Sequence, residues 1–152
     1  MRNVHKQFPG VYALQNVNFD LKEGEVHALL GENGAGKSTL IKILGGIYSI
    51  DKGNIYIQGE KVDIRSVKDA QNNGISIIHQ ELVLVPQMTV AENIYLGREI
   101  TNALGLVDKK AIIQEAQELL NVFEVQIDAK LLVSDLTIAQ QQMVEIIKAI
   151  SY

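Results

Sequence analysis

Gly31-Glu32-Asn33-Gly34-Ala35-Gly36-Lys37-Ser38-Thr39 satisfies the pattern G-x-x-x-x-G-K-[ST] and decides how the rest of the chain is read. A polyphosphate needs several donors converging on its oxygens. A loop can supply them from backbone N–H groups only where no Cβ blocks the approach, which is the use of Gly31, Gly34 and Gly36. A helix starting at the end of such a loop adds unpaired N–H groups and the positive end of its dipole. Lys37 brings a mobile point charge for the outer phosphates, and the Ser38 hydroxyl suits a magnesium ion. Gly31, Asn33, Gly34, Ala35, Gly36, Lys37, Ser38 and Thr39 are therefore the candidate contacts to a nucleoside triphosphate.

The flanks agree with this reading. Val26-His27-Ala28-Leu29-Leu30 is a continuous apolar run of the kind a strand covered on both faces of a parallel sheet would show, and it leads directly into the loop. After the loop, Leu40, Ile41, Ile43 and Leu44 predict the inner face of a helix that Gly45-Gly46 can end. Upstream, Val11, Tyr12 and the alternation Val17, Phe19, Leu21 predict a strand closed by the turn Lys22-Glu23-Gly24-Glu25. Downstream, Asn54 to Val62 reads as a strand, a glycine turn at Gly59 and a return strand. Gly74-Ile75-Ser76-Ile77-Ile78-His79-Gln80 predicts a second central strand ending at a glutamine.

From Thr89 the pattern turns helical. Thr89-Val90-Ala91-Glu92 has capping-box spacing, and Asp108 precedes Ile112, Ala116, Leu119, Leu120 and Phe123 on one predicted face. Thr137-Ile138-Ala139-Gln140 is a second capping box, followed by Met143, Ile146, Ile147 and Ile150 at helical spacing. The expected organisation is one domain over residues 1–152, with a β subdomain and loop core over 1–81 and a helical subdomain over 82–152.

Composition narrows the function classes. The chain has 152 residues, a formal charge of -4 and no cysteine. Thiolate catalysis, disulfides and thiolate-bound metals are thereby excluded, and the absence of a basic stripe argues against a nucleic-acid partner. No run of eighteen apolar residues spans a bilayer, so membrane association is expected through a partner. The chain lacks the Asn-Lys-x-Asp of guanine-specific loops, which sets aside a GTPase reading.

Taken together, Lys6 to Leu14, the loop from Gly31 to Thr39, Gly74 to Glu81, Thr89 to Arg98 and Asp135 to Ala149 resemble the ATP-binding subunits of ABC transporters. The resemblance runs along the whole chain. Ile78-His79-Gln80-Glu81 and Ala91-Glu92-Asn93-Ile94-Tyr95-Leu96-Gly97-Arg98 are most similar to the first nucleotide-binding cassette of bacterial importers of ribose, galactosides and related monosaccharides. It implies an α/β fold: a P-loop NTPase core with a small antiparallel β subdomain and an inserted helical subdomain. It also implies ATP and Mg²⁺ as ligands. Phe8 would stack on adenine, Gln80 would reach the metal and the attacking water as the Q-loop glutamine, and Ser38 would ligate the metal. The family's signature motif falls on Thr137, Ile138, Ala139 and Gln140, which would meet the nucleotide held by an opposite cassette. Implied partners are transmembrane permease subunits, a second cassette and, indirectly, a solute-binding protein, with the chain peripheral on the cytoplasmic face of the membrane.

The chain departs from the family pattern in two places. Thr137 stands for the usual serine and Ala139 for the usual glycine of the signature, which puts a methyl group beside the phosphate position. In addition, the Walker B aspartate, the catalytic glutamate and the switch histidine have no counterpart before Tyr152, so a cassette truncated before the Walker B strand is expected. The family is an ATPase, and phosphoryl transfer depends on metal-assisted positioning that those residues supply. The alternative is a non-hydrolysing remnant that binds nucleotide weakly or is not stably folded.

Overall fold

The computed structural model describes residues 1–151; Tyr152, the last residue of the domain expected over 1–152, lies outside the described residues. Two compact units divide the chain, Met1–Ile77 and Ile78–Tyr152, so Ile78 to Glu81 go with the second.

In the first unit, β1 (Arg2–Phe8) and β2 (Val11–Val17) form a hairpin. Its turn is Pro9-Gly10, with Gly10 at φ 81. Then come α1 (Lys37–Leu44), the strand pair β3 (Lys52–Ile57) and β4 (Glu60–Val62), and α2 (Val67–Asn72). The four strands make one sheet in the order β2-β1-β3-β4, with every neighbouring pair antiparallel. β1, β2 and β3 each bury one residue, Val4, Leu14 and Ile55, and the core gathers these with Leu40, Ile43, Ile64 and Ala70. α1 turns Leu40 and Ile43 inward and leaves Ile41 on the surface. A left-handed Gly46, φ 72, takes the chain out of α1.

Two expected strands do not form. Val26 to Leu30 carries no ladder hydrogen bonds, and Val26 is 99% and Leu30 88% exposed. Gly74 to Gln80 is equally unpaired, running from a left-handed turn at Gly74, φ 76, to a bend at Gln80, although Ile75 and Ile77 are half-buried while Ser76 and Ile78 are exposed. The reason is that apolar β-branched composition describes what a segment needs, whereas a strand exists only when a neighbour completes its hydrogen bonds. β2 also ends at Val17, short of Phe19 and Leu21. Beyond it the hairpin closes on a reciprocal pair: the Phe19 amide donates to the Met1 carbonyl at 3.1 Å, and the Met1 ammonium donates to the Phe19 carbonyl at 2.6 Å.

The second unit is helical: α3 (Val90–Ile94), α4 (Lys109–Val122), a 3₁₀ turn at Val133–Asp135 and α5 (Ile138–Ile150). Local chemistry starts each helix. Thr89 and Thr137 both complete capping boxes, with Glu92 and Gln140, and the Asp108 side chain accepts from the Ala111 amide at 3.0 Å. α4 buries Ile112, Ala116 and Leu120 at a spacing of four, and Phe123 becomes a largely exposed C-cap. α5 buries Val144, Glu145 and Ile147, while Met143 and Ile150, expected inside, lie outside. These faces close with Val90, Ala91, Ile94, Ile127 and Val133 into one core.

Candidate functional site

The glycine loop is an exposed turn that ends on the first residue of α1. Its geometry rests on Gly36, at φ 87, which is both the N-cap of α1 and the point where the loop touches the hairpin. A Cβ there would stand 2.5 Å from the Ala13 carbonyl oxygen and 2.8 Å from Leu14 Cδ2. No L side chain fits that space in that conformation. Gly34 shares the left-handed conformation, φ 86, but has open space around it.

Lys37 curls back over the loop: its ammonium donates to the Gly31 carbonyl at 2.6 Å and to the Glu32 carbonyl at 2.8 Å. The Ala35 amide closes a turn on the Glu32 carbonyl at 3.2 Å. α1 differs from α3, α4 and α5 in having no side-chain cap on its N-terminus, and its first turn carries no acidic residue. Its positive end is thus presented to whatever occupies the loop, with Ser38 exposed and Thr39 half-buried beside it. A concave turn of backbone donors, a lysine ammonium and an unshielded helix start form an arrangement suited to a polyphosphate.

Phe8 closes β1, half-buried, with its ring edge-on to Tyr48 at 5.1 Å between centroids. Beside it the Lys6 ammonium pairs with Asp51 at 3.0 Å, and the Gln7 amide donates to the same carboxylate at 2.7 Å. The Gln7 amide first, and Lys6 second, hold the Asp51 carboxyl below the usual carboxylate range. The second unit carries Gln80, exposed in an irregular stretch, and Thr137 to Gln140 at the head of α5. There the capping box consumes part of what the helix start could offer an anion. The Gln140 amide donates to Thr137 Oγ1 at 3.3 Å, and the Thr137 amide donates to Gln140 Oε1 at 2.9 Å. Ile138 and Ala139 are exposed.

An ABC transporter family model matches residues 14–152. The chain belongs to that family. Among curated relatives of this ABC family member, the ribose import ATP-binding protein RbsA 1 of Rubrobacter xylanophilus is 55% identical over 150 residues, covering 99% of this chain and 30% of the relative. A putative ribose/galactose/methyl galactoside import ATP-binding protein of Halalkalibacterium halodurans is 52% identical over 153 residues, covering 100% and 29%. The chain therefore spans about 30% of the length of the curated relatives it matches. A nucleotide-free ATP-binding cassette from an ABC transporter superposes with a TM-score of 0.81 at 25% identity, covering 97% of this chain and 62% of that one. A dimeric bacterial ABC transporter cassette does so at 0.74 and 29% identity, covering 99% and 68%. The fold is that of a P-loop NTPase cassette, with its small antiparallel sheet and helical part, and the family binds nucleotide. No helix among the described residues is long and apolar enough to cross a membrane.

Two residues that sequence reasoning left out stand apart. Asn93 and Glu145 are the buried polar side chains of the described core. Both hold the stretch that follows Gln80. Asn93 Oδ1 accepts from the Val85 amide at 2.7 Å, and its Nδ2 donates to the Val85 and Thr89 carbonyls at 3.0 Å each. Glu145 Oε1 accepts from the Val83 amide at 2.8 Å. Polar residues at inward positions of otherwise apolar helices were the signal that could have found them.

Proposed function

We propose that this chain is the ATP-binding component of a ribose- or galactoside-type sugar importer, peripheral on the cytoplasmic face of the membrane and coupled to permease subunits. The observation that carries the reading is the Gly36–Lys37 junction: a left-handed glycine pressed against the Ala13 carbonyl, followed by a lysine whose ammonium already caps loop carbonyls at a helix start with no side-chain cap. The printed names of the relatives, import ATP-binding proteins for ribose and galactosides, support the sugar class.

The residues fit the ligands. The loop from Gly31 to Gly36, with Asn33 and Ala35, offers backbone donors to the β-phosphate, and Lys37 moves from the Gly31 and Glu32 carbonyls to the outer phosphates. Thr39 backs the loop from the first turn of α1, and Phe8 offers its ring to the adenine. Ser38 and Gln80 would hold Mg²⁺, which when bound neutralises charge on the phosphates. Thr137 to Gln140 form the signature segment of the helical subdomain over 82–152 and face the nucleotide of a second cassette. A solute-binding protein would act upstream of the permease.

The deciding measurement is titration with ATP and Mg²⁺, followed by phosphate release with permease and second cassette present. Saturable binding lost on replacing Lys37, together with release, sustains the reading, whereas absence of binding overturns it. A second reading, binding without hydrolysis, is favoured by one observation: Val26 to Leu30, which feeds the loop, has no ladder partner among the described residues. Binding with no release in that assay would select it.

A further inference from the structure

Glu145 lies on the inner face of α5 between Val144 and Ile147, all three buried, where an aliphatic side chain would fill the same space. What the carboxylate adds is an acceptor, and that acceptor reaches across 62 residues of sequence to the Val83 amide. Val83 is three residues beyond Gln80 and two before Val85, which Asn93 of α3 grips from the other side. The backbone from 83 to 85 thus hangs between two helices on buried polar side chains, while Ile78 to Glu81 before it stays exposed and outside any ladder. Glu145 sits two turns below the capping box at Thr137, about 12 Å along a helix of 1.5 Å rise per residue. A capped helix of this length moves as a rigid rod, so a displacement at its head is delivered at Glu145.

We propose that Glu145 is a positioning residue: it ties the segment carrying Gln80 to α5, so that an event at Thr137 to Gln140 is felt at Gln80. This rests on the roles given above to Gln80 and to the head of α5. Its physical basis is separate, since the tether is a hydrogen bond from a loop amide to a buried side-chain oxygen on a helix.

The test uses three variants of the whole chain, read by amide hydrogen exchange and by NMR resonances of Gln80. Glu145→Asp withdraws the carboxylate by one methylene. It should raise exchange at Val83 at least tenfold and shift the Gln80 signals, with those of Ile112 and Leu120 unmoved. Glu145→Gln keeps a carbonyl acceptor at the same reach and should restore both readings to within about threefold of the parent. Thr137→Val perturbs the head of α5 and should move the Gln80 signals in the parent background but not beside Glu145→Asp. A merely structural Glu145 would lower the melting temperature and leave that coupling unchanged, and this result overturns the proposal. ATP titration of the parent chain separates the two claims. No binding would remove the function proposed above, whereas normal binding with Gln80 signals indifferent to Glu145→Asp would overturn the tether alone.

Discussion

The Lys37 ammonium rests 2.6 Å from the Gly31 carbonyl oxygen, at the opposite end of the loop that it closes. One side chain thereby spans the loop, tying its first residues to the start of α1. Replacing it with alanine removes a charge-assisted donor worth about 1.5–3 kcal/mol. Lys37→Ala is expected to weaken triphosphate affinity at least roughly 100-fold, the equivalent of about 2.8 kcal/mol. Calorimetric titration checks it, and an unchanged affinity would refute the role given to Lys37.

Gly36 and Gly34 share a left-handed backbone but not their surroundings, which separates two costs. Gly34→Ala meets only the conformational penalty, about 1 kcal/mol. Gly36→Ala meets that penalty and a Cβ 2.5 Å from the Ala13 oxygen, so its destabilisation should exceed that of Gly34→Ala by about 1–3 kcal/mol. Urea denaturation of the two variants decides; equal midpoints would mean the loop does not press on β2.

The capping box of α5 should be visible as stability. Thr137→Ala removes the acceptor for the Gln140 amide and is expected to cost about 1 kcal/mol, as is Asp108→Ala at the head of α4. Chemical unfolding followed by circular dichroism measures both. A Thr137→Ala midpoint equal to that of the parent would show that the cap does not hold the helix start.

Acid should loosen the second unit through Glu92. The Thr89 amide first, then Lys109 and the Thr89 hydroxyl, hold the Glu92 carboxyl below its ordinary value. A depressed folded-state pKa contributes stability that is present above the unfolded-state value and disappears as pH falls through the folded one. Stability should therefore drop below about pH 4.5, and Glu92→Gln should flatten that slope while lowering stability at pH 7. The check is a series of thermal melts across the acid range, in which parallel curves for parent and variant would count against the assignment.

Val26, 99% exposed in an apolar unpaired segment, should govern self-association more than folding. Val26→Lys is expected to change stability by less than about 0.5 kcal/mol while lowering aggregation. Light scattering against concentration reads the effect. By contrast, Val4→Ala, at a fully buried site, should cost about 1–2 kcal/mol.

Features governed by a few consecutive residues could be read from the letters: the glycine loop and the helix behind it, the hairpin of β3 and β4 around Gly59, and the caps Thr89, Asp108 and Thr137. Each is a short-range match between side-chain chemistry and backbone groups one to four residues away. β1 and α2 went unread, because their mixed polar sequences show little alternation or stripe. The face of α5 was read in part: Ile147 is buried as expected, but Met143 and Val144 are equally apolar and only packing chooses Val144.

The amino-acid order alone established the glycine loop with its lysine and hydroxyl residues, the cassette family and the caps at which α3, α4 and α5 begin, because those depend on neighbours along the chain. Tertiary structure decided which apolar segments found partners, leaving Val26 to Leu30 and Gly74 to Gln80 outside any ladder. It also pressed Gly36 against Ala13 and brought Glu145 to Val83. Such contacts join residues far apart in sequence, and no local pattern encodes which distant backbone group will arrive.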